Sequence, residues 1–289
     1  MADAAQIFSE HRERLAGVAY RVLGRIADVE DVVQDAWLRW STVDLDSVDD
    51  PEAYLVRVTT RLAIDRLRSA QARREAYVGP WLPEPMLTSP DVADSVALND
   101  SVSTAMLLVL ESLSPLERAV FVLREAFGYS YAEIAGFVDR TEPSVRQTAA
   151  RARAHVEDHR VRYDTDRATR AEATQRFLAA CVGGDLRSLV QVLAPEVTMI
   201  SDGGGLAQAP RKPIVGAELV ARALVTFAGR TPAAATAEIV ELNGGPAIVA
   251  RYDGEPVSAI TLHLVDGRIE TIHLIANPEK LTGLAAAQG

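Results

Sequence analysis

Arg146, Gln147, Arg151 and Arg153 crowd into little more than two turns of the stretch SYAEIAGFVDRTEPSVRQTAARARAHV, from Ser130 to Val156. The chain that carries them has a formal net charge of -10. Arginine offers a planar fork of donors that fits the O6 and N7 edge of guanine, and glutamine fits adenine, so the chemistry open to this pattern is base reading in a DNA major groove. From Glu142 onward the spacing predicts a helix: Val145, Ala149, Ala152 and Val156 recur at intervals of four, three and four and form one apolar stripe. Arg146, Gln147, Ala150 and Arg151 then project from the opposite side, with Arg153 on the flank. Ahead of it lie a short helix, YAEIAGFV, and the brief connection Asp139-Arg140-Thr141. Ala135 sits where the two helices cross and Thr141 is placed to cap the second. This is the spacing of a helix-turn-helix. A solvated basic face is the alternative, and the pattern alone does not say which DNA is read.

The elements that must position this helix fall into blocks. Up to about Ala76 the sequence is helical in period. Asp28 is expected to cap VEDVVQDAWLRW, and Asp50 followed by Pro51 marks another start, because proline at the first helical position leaves no amide unpaired. From Tyr77 to about Asn99, Gly79, Pro80, Pro83, Pro85 and Pro90 make a continuous helix or strand improbable, so residues 77–100 read as a linker. Trp81 and Leu82 inside it need a docking surface. Helical period resumes at Ser101, with capping boxes at Ser114/Glu117 and Ser130/Glu133. After about Tyr163 two helices are expected, Arg170 to Val182 and Leu186 to Leu193 capped by Asp185. Strand-like runs VTMIS, AEIVEL, AIVARY, AITLHLV and RIETIHLIA follow, the last two joined by the hairpin signal Asp266-Gly267. Helices followed by a meandering antiparallel sheet indicate an α+β domain. Around that turn the expected pairing sets Ile260, Leu262, Leu264, Ile269, Thr271, His273 and Ile275 on one face, with His263 opposite Glu270.

Length and composition bound the function classes. At 289 residues there is room for about two domains on a prior of roughly 100–200 residues each. The single cysteine, Cys181, excludes an internal disulfide and lies in an apolar helical pattern, where it reads as a packed small hydrophobe. No signal-peptide core and no apolar run of membrane-spanning length appear, so a cytoplasmic location with no membrane partner is expected. The acidic balance argues against a protein that binds DNA unaided, because its field repels phosphate. It leaves room for a local basic reader carried by a partner.

These residues resemble the extracytoplasmic-function (ECF) class of bacterial RNA polymerase sigma factors. LSPLERAVFVLREAFGYSYAEIAGFVDRTEPSVRQTAARARAHV is similar to the family's fourth domain, VAYRVLGRIADVEDVVQDAWLRW to the polymerase-binding helix of its second, and PEAYLVRVTTRLAIDRLRSAQARRE to its promoter-melting region. The resemblance implies two all-α sigma domains: a sigma-2 domain over 1–76, the linker, and a sigma-4 helix-turn-helix domain over 101–163. It implies that Asp31, Gln34, Asp35, Trp37 and Leu38 contact the beta-prime clamp of bacterial core RNA polymerase, with Trp37 as a buried anchor. It places Arg57, Arg61, Arg66 and Arg68 at the melted non-template strand, and Arg146, Gln147 and Arg151 at the reading positions for promoter DNA. Arg61 is a departure, since the family commonly has Asn there.

The remaining residues, 164–289, resemble the SnoaL-like branch of the NTF2-like fold, a cone-shaped α+β domain with a pocket at its mouth. WLP in the linker (Trp81, Leu82, Pro83), DGGG at Asp202, Gly203, Gly204 and Gly205, and NPEKL from Asn277 and Pro278 together resemble the ECF41 subgroup of sigma factors. The resemblance implies a built-in regulator, and Trp81 and Leu82 are expected to dock near the DGGG loop or the NPEKL segment. His273 is a polar residue on an apolar wall, read either as a satisfied core histidine or as a pocket residue beside an unknown small-molecule ligand. Related folds include enzymes in which an Asp acts as general acid or base, so Asp202 and His273 are the residues a catalytic reading would use. No second carboxylate, nucleophile triad, metal cluster or cofactor motif accompanies them, and the expectation is no enzyme, no metal and no cofactor. A ligand-sensing repressor would share the helix-turn-helix but lack the clamp motif.

Overall fold

Ser114 and Ser130 each accept the backbone N–H of a glutamate three residues on, and that glutamate returns to the serine, so both capping boxes form as expected. Asp50 likewise accepts the Ala53 N–H at 2.9 Å. These caps start three of the helices of a computed structural model that describes residues 3–74, 77–88, 104–159, 167–230, 232 and 234–285. The expected boundaries at Ala76, Asn99, Ser101 and Tyr163, and linker residue Pro90, lie outside the described residues. The chain divides into two units, one of Met1–Glu75 with Met106–Arg160, the other of Ala76–Ala105 with Val161–Gly289.

The first unit is all helical: α1 (Ala4–Leu23), α2 (Ile26–Trp40), α3 (Pro51–Arg74), α4 (Thr104–Glu111), α5 (Pro115–Glu125), α6 (Tyr131–Val138) and α7 (Glu142–His159). Its core is built from the apolar faces of these helices, among them Leu15, Val18, Val32, Trp40, Leu55, Leu67, Leu123 and Ile134. Trp40 is fully buried and donates its indole N–H to the Ala4 carbonyl at 2.8 Å, tying the end of α2 to the start of α1. Asp28 is not the cap of α2. The helix starts earlier, with Arg25 at the cap position, and Asp28 lies in its first turn, buried. Arg118 is also buried; its Nε donates to the Arg21 carbonyl at 3.0 Å and Nη1 to Glu111, so α5 is pinned to both α1 and α4.

The second unit is α+β. Helices α8 (Arg167–Val182), α9 (Leu186–Val192) and α10 (Ala217–Arg230) accompany strands β1 (Leu193–Asp202), β2 (Ile214–Val215), β3 (Thr236–Leu242), β4 (Gly245–Tyr252), β5 (Glu255–Val265) and β6 (Arg268–Ile275), with a last short helix α11 (Pro278–Leu281). The sheet order is β2-β1-β6-β5-β4-β3. Every pairing is antiparallel except β1 with β6, which is parallel, so the sheet is not the simple meander expected. Helix α10 was also not expected; Val220, Ala221 and Leu224 recur at helical spacing and face the core. That core joins Phe177, Leu189, Val220 and Leu224 of the helices to Val197, Met199, Ile248, Leu264, Ile269 and Ile272 of the sheet.

Asp266 and Gly267 take φ of 50° and 72°, the left-handed pair that a two-residue hairpin needs. The register beyond the turn differs from expectation. Leu264 pairs with Ile269 but His263 pairs with Thr271, so Glu270 is an extra residue at a bulge. One extra residue reverses every later side chain of β6. Ile272 faces the helices, and His273 lies on the opposite face with Thr261 and Ile275. His273 is 5% exposed, and burial, with a smaller contribution from neighbouring His263, pulls it down to about 4.

Native His273 therefore stays neutral while the unfolded chain, with its ordinary value of about 6.5, takes up a proton as pH falls. Stability is full above that ordinary value and is lost as pH drops toward 4. Urea unfolding of the full chain followed by circular dichroism should show about 2 kcal/mol of this loss between pH 7 and pH 5, and His273→Leu should reduce the pH slope by that amount.

Candidate nucleic-acid interface and linker clasp

On α7 the stripe Val145, Ala149, Ala152 and Val156 is buried, and Arg146, Gln147, Ala150, Arg151 and Arg153 are exposed. Asp139 ends α6 in the left-handed region at φ 57°, and the Arg140 N–H returns to the Ala135 carbonyl at 3.0 Å, which makes the turn between the helices tight. The Thr141 carbonyl accepts the Val145 N–H at 3.0 Å, placing Thr141 at the start of α7. Each arginine of the helix has a carboxylate neighbour: Glu142 for Arg146, Glu117 at 3.2 Å for Arg151, and Glu125 for Arg153. Exposed pairs of this kind are worth about 1 kcal/mol or less, so at Arg151 and Arg153 a phosphate or a base edge can replace the carboxylate at small cost.

The cations of α3 divide into two groups. Arg57, Arg61 and Arg68 follow one another at helical spacing along one side. Arg57 stacks over the Tyr54 ring at 5.1 Å and Arg68 pairs with Asp65 at 3.3 Å. Arg66 turns the other way, its Nε donating to Asp28 at 2.7 Å and its Nη2 to Asp31, so it joins α3 to α2. Arg61 reaches α6: its Nε donates to the Phe137 carbonyl at 3.0 Å and its Nη2 lies 4.0 Å from the Asp139 carboxylate. Carbonyls at a helix C-terminus carry the negative end of the helix dipole, which favours a charged guanidinium over the neutral amide of an Asn.

Along α2, Asp31, Gln34, Asp35 and Leu38 are exposed, with Leu38 at 56% a large apolar side chain in solvent. Trp37 is half-buried, edge-on to Phe8 at 5.2 Å between ring centroids. Trp40 is the tryptophan of this helix that is buried in the chain's own core.

In the second unit, linker residues 77–88 lie on the domain that follows. Asp202 at the end of β1 is wholly buried, and its carboxylate accepts from the Tyr77 hydroxyl at 2.6 Å, the Leu82 N–H at 2.8 Å, the Gly204 N–H at 3.1 Å and Lys280 Nζ at 2.6 Å. Lys280, only 4% exposed, also donates to the Leu82 carbonyl and sits 3.9 Å from the centre of the Trp81 ring. Asn277 caps α11 through its Oδ1 and donates its amide to the Tyr77 oxygen at 2.8 Å, with Pro278 exposed in the first turn. Burial, reinforced by the Asp202 carboxylate, pushes the Tyr77 hydroxyl well above its ordinary value, so it remains a donor.

The three glycines make room for this arrangement. A Cβ on Gly203 would stand 2.8 Å from the Ala207 carbonyl, one on Gly204 2.4 Å from the Asn277 amide, and one on Gly205 3.1 Å from Val78. Gly204 also has a φ of 60°. Leu82 is 1% exposed and Pro83 is buried. Farther on, Met86 and Thr88 bond to the β3–β4 hairpin through the Asn243 N–H to Met86 carbonyl at 2.8 Å and the Thr88 N–H to Glu241 carbonyl at 3.0 Å. Tyr77, Asn243 and Lys280 were not singled out from sequence. The Lys of NPEKL was the available signal, because a buried DGGG aspartate needs a cation.

His273 lines neither of two cavities in the described residues. One, of about 400 Å3, is bordered by Val190, Leu193, Pro195, Gly216, Leu219 and Arg268 in the second unit. The other, of about 610 Å3, lies in the first unit between the start of α3 and α6 and includes Arg57 and Phe137. No group of three or more His, Cys, Asp or Glu among the described residues could hold a metal ion, and no described helix is long and apolar enough to cross a membrane.

Residues 7–73 match the family Sigma-70 region 2, and residues 103–156 match Sigma-70, region 4. ECF RNA polymerase sigma factor SigJ of Mycobacterium tuberculosis is 36% identical over 96% of this chain and 92% of its own length. The chain is an ECF RNA polymerase sigma factor. A second relative, the probable ECF sigma factor SigI of the same species, is 33% identical over 96% of this chain and 95% of its own. The crystal structure of SigJ covers 97% of this sigma factor and 99% of the SigJ chain, with 32% identity and a TM-score of 0.75. As a sigma factor it serves transcription initiation with core RNA polymerase and promoter DNA, and the helix-turn-helix of α6 and α7 lies within region 4. The linker clasp lies outside both matched regions, in a C-terminal domain fused to the sigma factor.

Removing one member of the buried clasp pair should be severe. Lys280→Met leaves the Asp202 carboxylate buried without its cation and should cost about 3–5 kcal/mol in urea unfolding. Asp202→Asn combined with Lys280→Met should be less destabilised than the sum of the single changes by about 1 kcal/mol or more.

Proposed function

We propose that this sigma factor uses its C-terminal domain as an intramolecular regulator, acting through the linker between the two sigma domains. The observation that carries the reading is the Asp202–Lys280 clasp on Leu82 and Trp81. A linker gripped along residues 77–88 has fewer conformations open to it than a free one, and sigma-2 (1–76) and sigma-4 (101–163) must both engage the polymerase and its promoter through that linker. The domain 164–289 thereby sets which arrangements of the two modules are accessible.

In this reading Asp31, Gln34, Asp35, Trp37 and Leu38 of α2 dock on the beta-prime clamp, with the half-buried Trp37 as the anchor. Arg57, Arg61 and Arg68 track the melted strand, Arg66 holds α3 on α2 behind them, and Arg146, Gln147, Arg151 and Arg153 face the upstream promoter element. The net charge of -10 fits a division of labour in which the polymerase supplies most non-specific affinity and the sigma subunit supplies readout. A cytoplasmic location belongs to the same reading, since a sigma factor meets polymerase and promoter DNA there. Asp202, saturated by four donors, is suited to holding structure and not to moving protons, which supports a non-catalytic C-terminal domain. The open cavity bordered by Leu219 and Arg268 is the candidate place for a small-molecule ligand of that domain.

In transcription with purified core polymerase, Lys280→Met and Trp81→Ala should each change promoter-dependent output about fivefold or more relative to the wild-type chain, as a coupling of ordinary allosteric size requires. Output unchanged in both, with the linker amides of residues 77–88 demonstrably released, would refute regulation through the clasp. Leu38→Asp should weaken association with core polymerase about tenfold or more without changing the urea midpoint, because Leu38 is already in solvent.

A further inference from the structure

Tyr131, the first residue of α6, carries two guanidinium groups over its ring. The Cζ atoms of Arg124 and Arg146 each lie 4.7 Å from the ring centroid. Arg124 is fixed from its other end, Nη1 donating to the Tyr129 carbonyl at 2.9 Å. Arg146 is fixed by Glu142, whose Oε1 accepts from both Nε, at 3.1 Å, and Nη2. The Tyr131 backbone is itself held by the Ser130/Glu133 capping box, in which the Ser130 N–H reaches Glu133 at 2.7 Å and the Glu133 N–H reaches the Ser130 hydroxyl at 3.2 Å.

A free arginine on a helix surface samples many rotamers, and bidentate recognition of a guanine uses only those that bring two parallel N–H groups to O6 and N7. Here the ring holds the Arg146 guanidinium over its face, 4.7 Å from the centroid, and Glu142 holds it through Nε and Nη2. Glu142 takes the Nε side. The other edge, formed by Nη1 and the outer N–H of Nη2, has no hydrogen-bond partner among the described residues. That edge offers two parallel donors of the kind a guanine accepts at O6 and N7.

We propose that Tyr131 is a positioning residue for promoter readout, holding the guanidinium of Arg146 with its Nη1–Nη2 edge presented to a guanine of the upstream element. The proposal rests on the reading of α7 as the promoter-reading helix and adds to it a base and the side chain that selects it. Tyr131 touches no base in this role; it acts through Arg146. Its hydroxyl is not needed, because the interaction is with the face of the ring.

The test is transcription by core polymerase with the full-length chain from a promoter library randomised over the upstream element. Arg146→Ala identifies the position at which guanine preference is lost. Tyr131→Leu should lower guanine preference at that position by about two- to fivefold, leave preference elsewhere unchanged, and Tyr131→Phe should retain the wild-type profile. An even loss of output across all library members in Tyr131→Leu, an unchanged guanine preference, or a Phe variant that behaves like Leu would overturn the proposal. If Arg146→Ala leaves every base preference intact, the reading of α7 itself fails and the role of Tyr131 falls with it. If Arg146→Ala abolishes the preference and Tyr131→Leu does not, only the role of Tyr131 falls.

Discussion

An ammonium and a carboxylate, both withdrawn from solvent, face each other at 2.6 Å where the end of β1 meets α11. Either charge alone would cost several kcal/mol to bury, so each is tolerable only while the other is present and its remaining hydrogen bonds are filled. The clasp fills them from the linker. Leu82 supplies an amide to Asp202 and a carbonyl to Lys280, Tyr77 supplies a hydroxyl, and Trp81 supplies a ring face. The electrostatic demand of a buried ion pair in the C-terminal domain thus dictates the path of a segment some 120 residues upstream in sequence. The DGGG loop follows from the same demand, since a side chain on Gly204 would occupy the space in which Asn277 and Tyr77 meet.

The first unit is organised by arginines in three environments. Arg118 is buried and ties helices together through Arg21 and Glu111. Arg66 and Arg61 bridge elements at the surface, one to the acids of α2, the other to the carbonyl end of α6. Arg151 and Arg153 rest on exposed glutamates that a nucleic acid can displace, and Arg146 is held by Glu142 on its Nε side with its outer edge open. Their positions along the helices are similar in composition and different in consequence, because what decides their role is the nearest acceptor and how much water reaches it.

What the sequence disclosed was local. The capping boxes at Ser114 and Ser130, the cap at Asp50, the buried stripe of α7 and the left-handed pair Asp266-Gly267 each depend on residues within a few positions of one another. What it did not disclose was long-range or depended on counting across a pair of strands. The bulge at Glu270 moves His273 to the other face of the sheet, and nothing in the alternation of RIETIHLIA marks the extra residue. The parallel pairing of β1 with β6 joins segments about 70 residues apart, and α10 carries its apolar stripe between two strand-like runs that suggested an uninterrupted meander. Trp81 and Leu82 announced that the linker must dock, but Tyr77 carries no local signal, and Lys280 is marked only by its place in NPEKL, which gains meaning once Asp202 is known to be buried. The departure to arginine at position 61 was visible as an oddity; its partner, the Phe137 carbonyl, was not.

Residues 77–88 belong to the C-terminal domain through a buried charge pair. Amide hydrogen exchange at Leu82 in the full-length chain measures this most directly, because that N–H has Asp202 as its acceptor. The account predicts protection comparable to the amides of β1, lost when Lys280 is replaced by Met. Exchange of Leu82 at the rate of an unstructured peptide in the wild-type chain would contradict it.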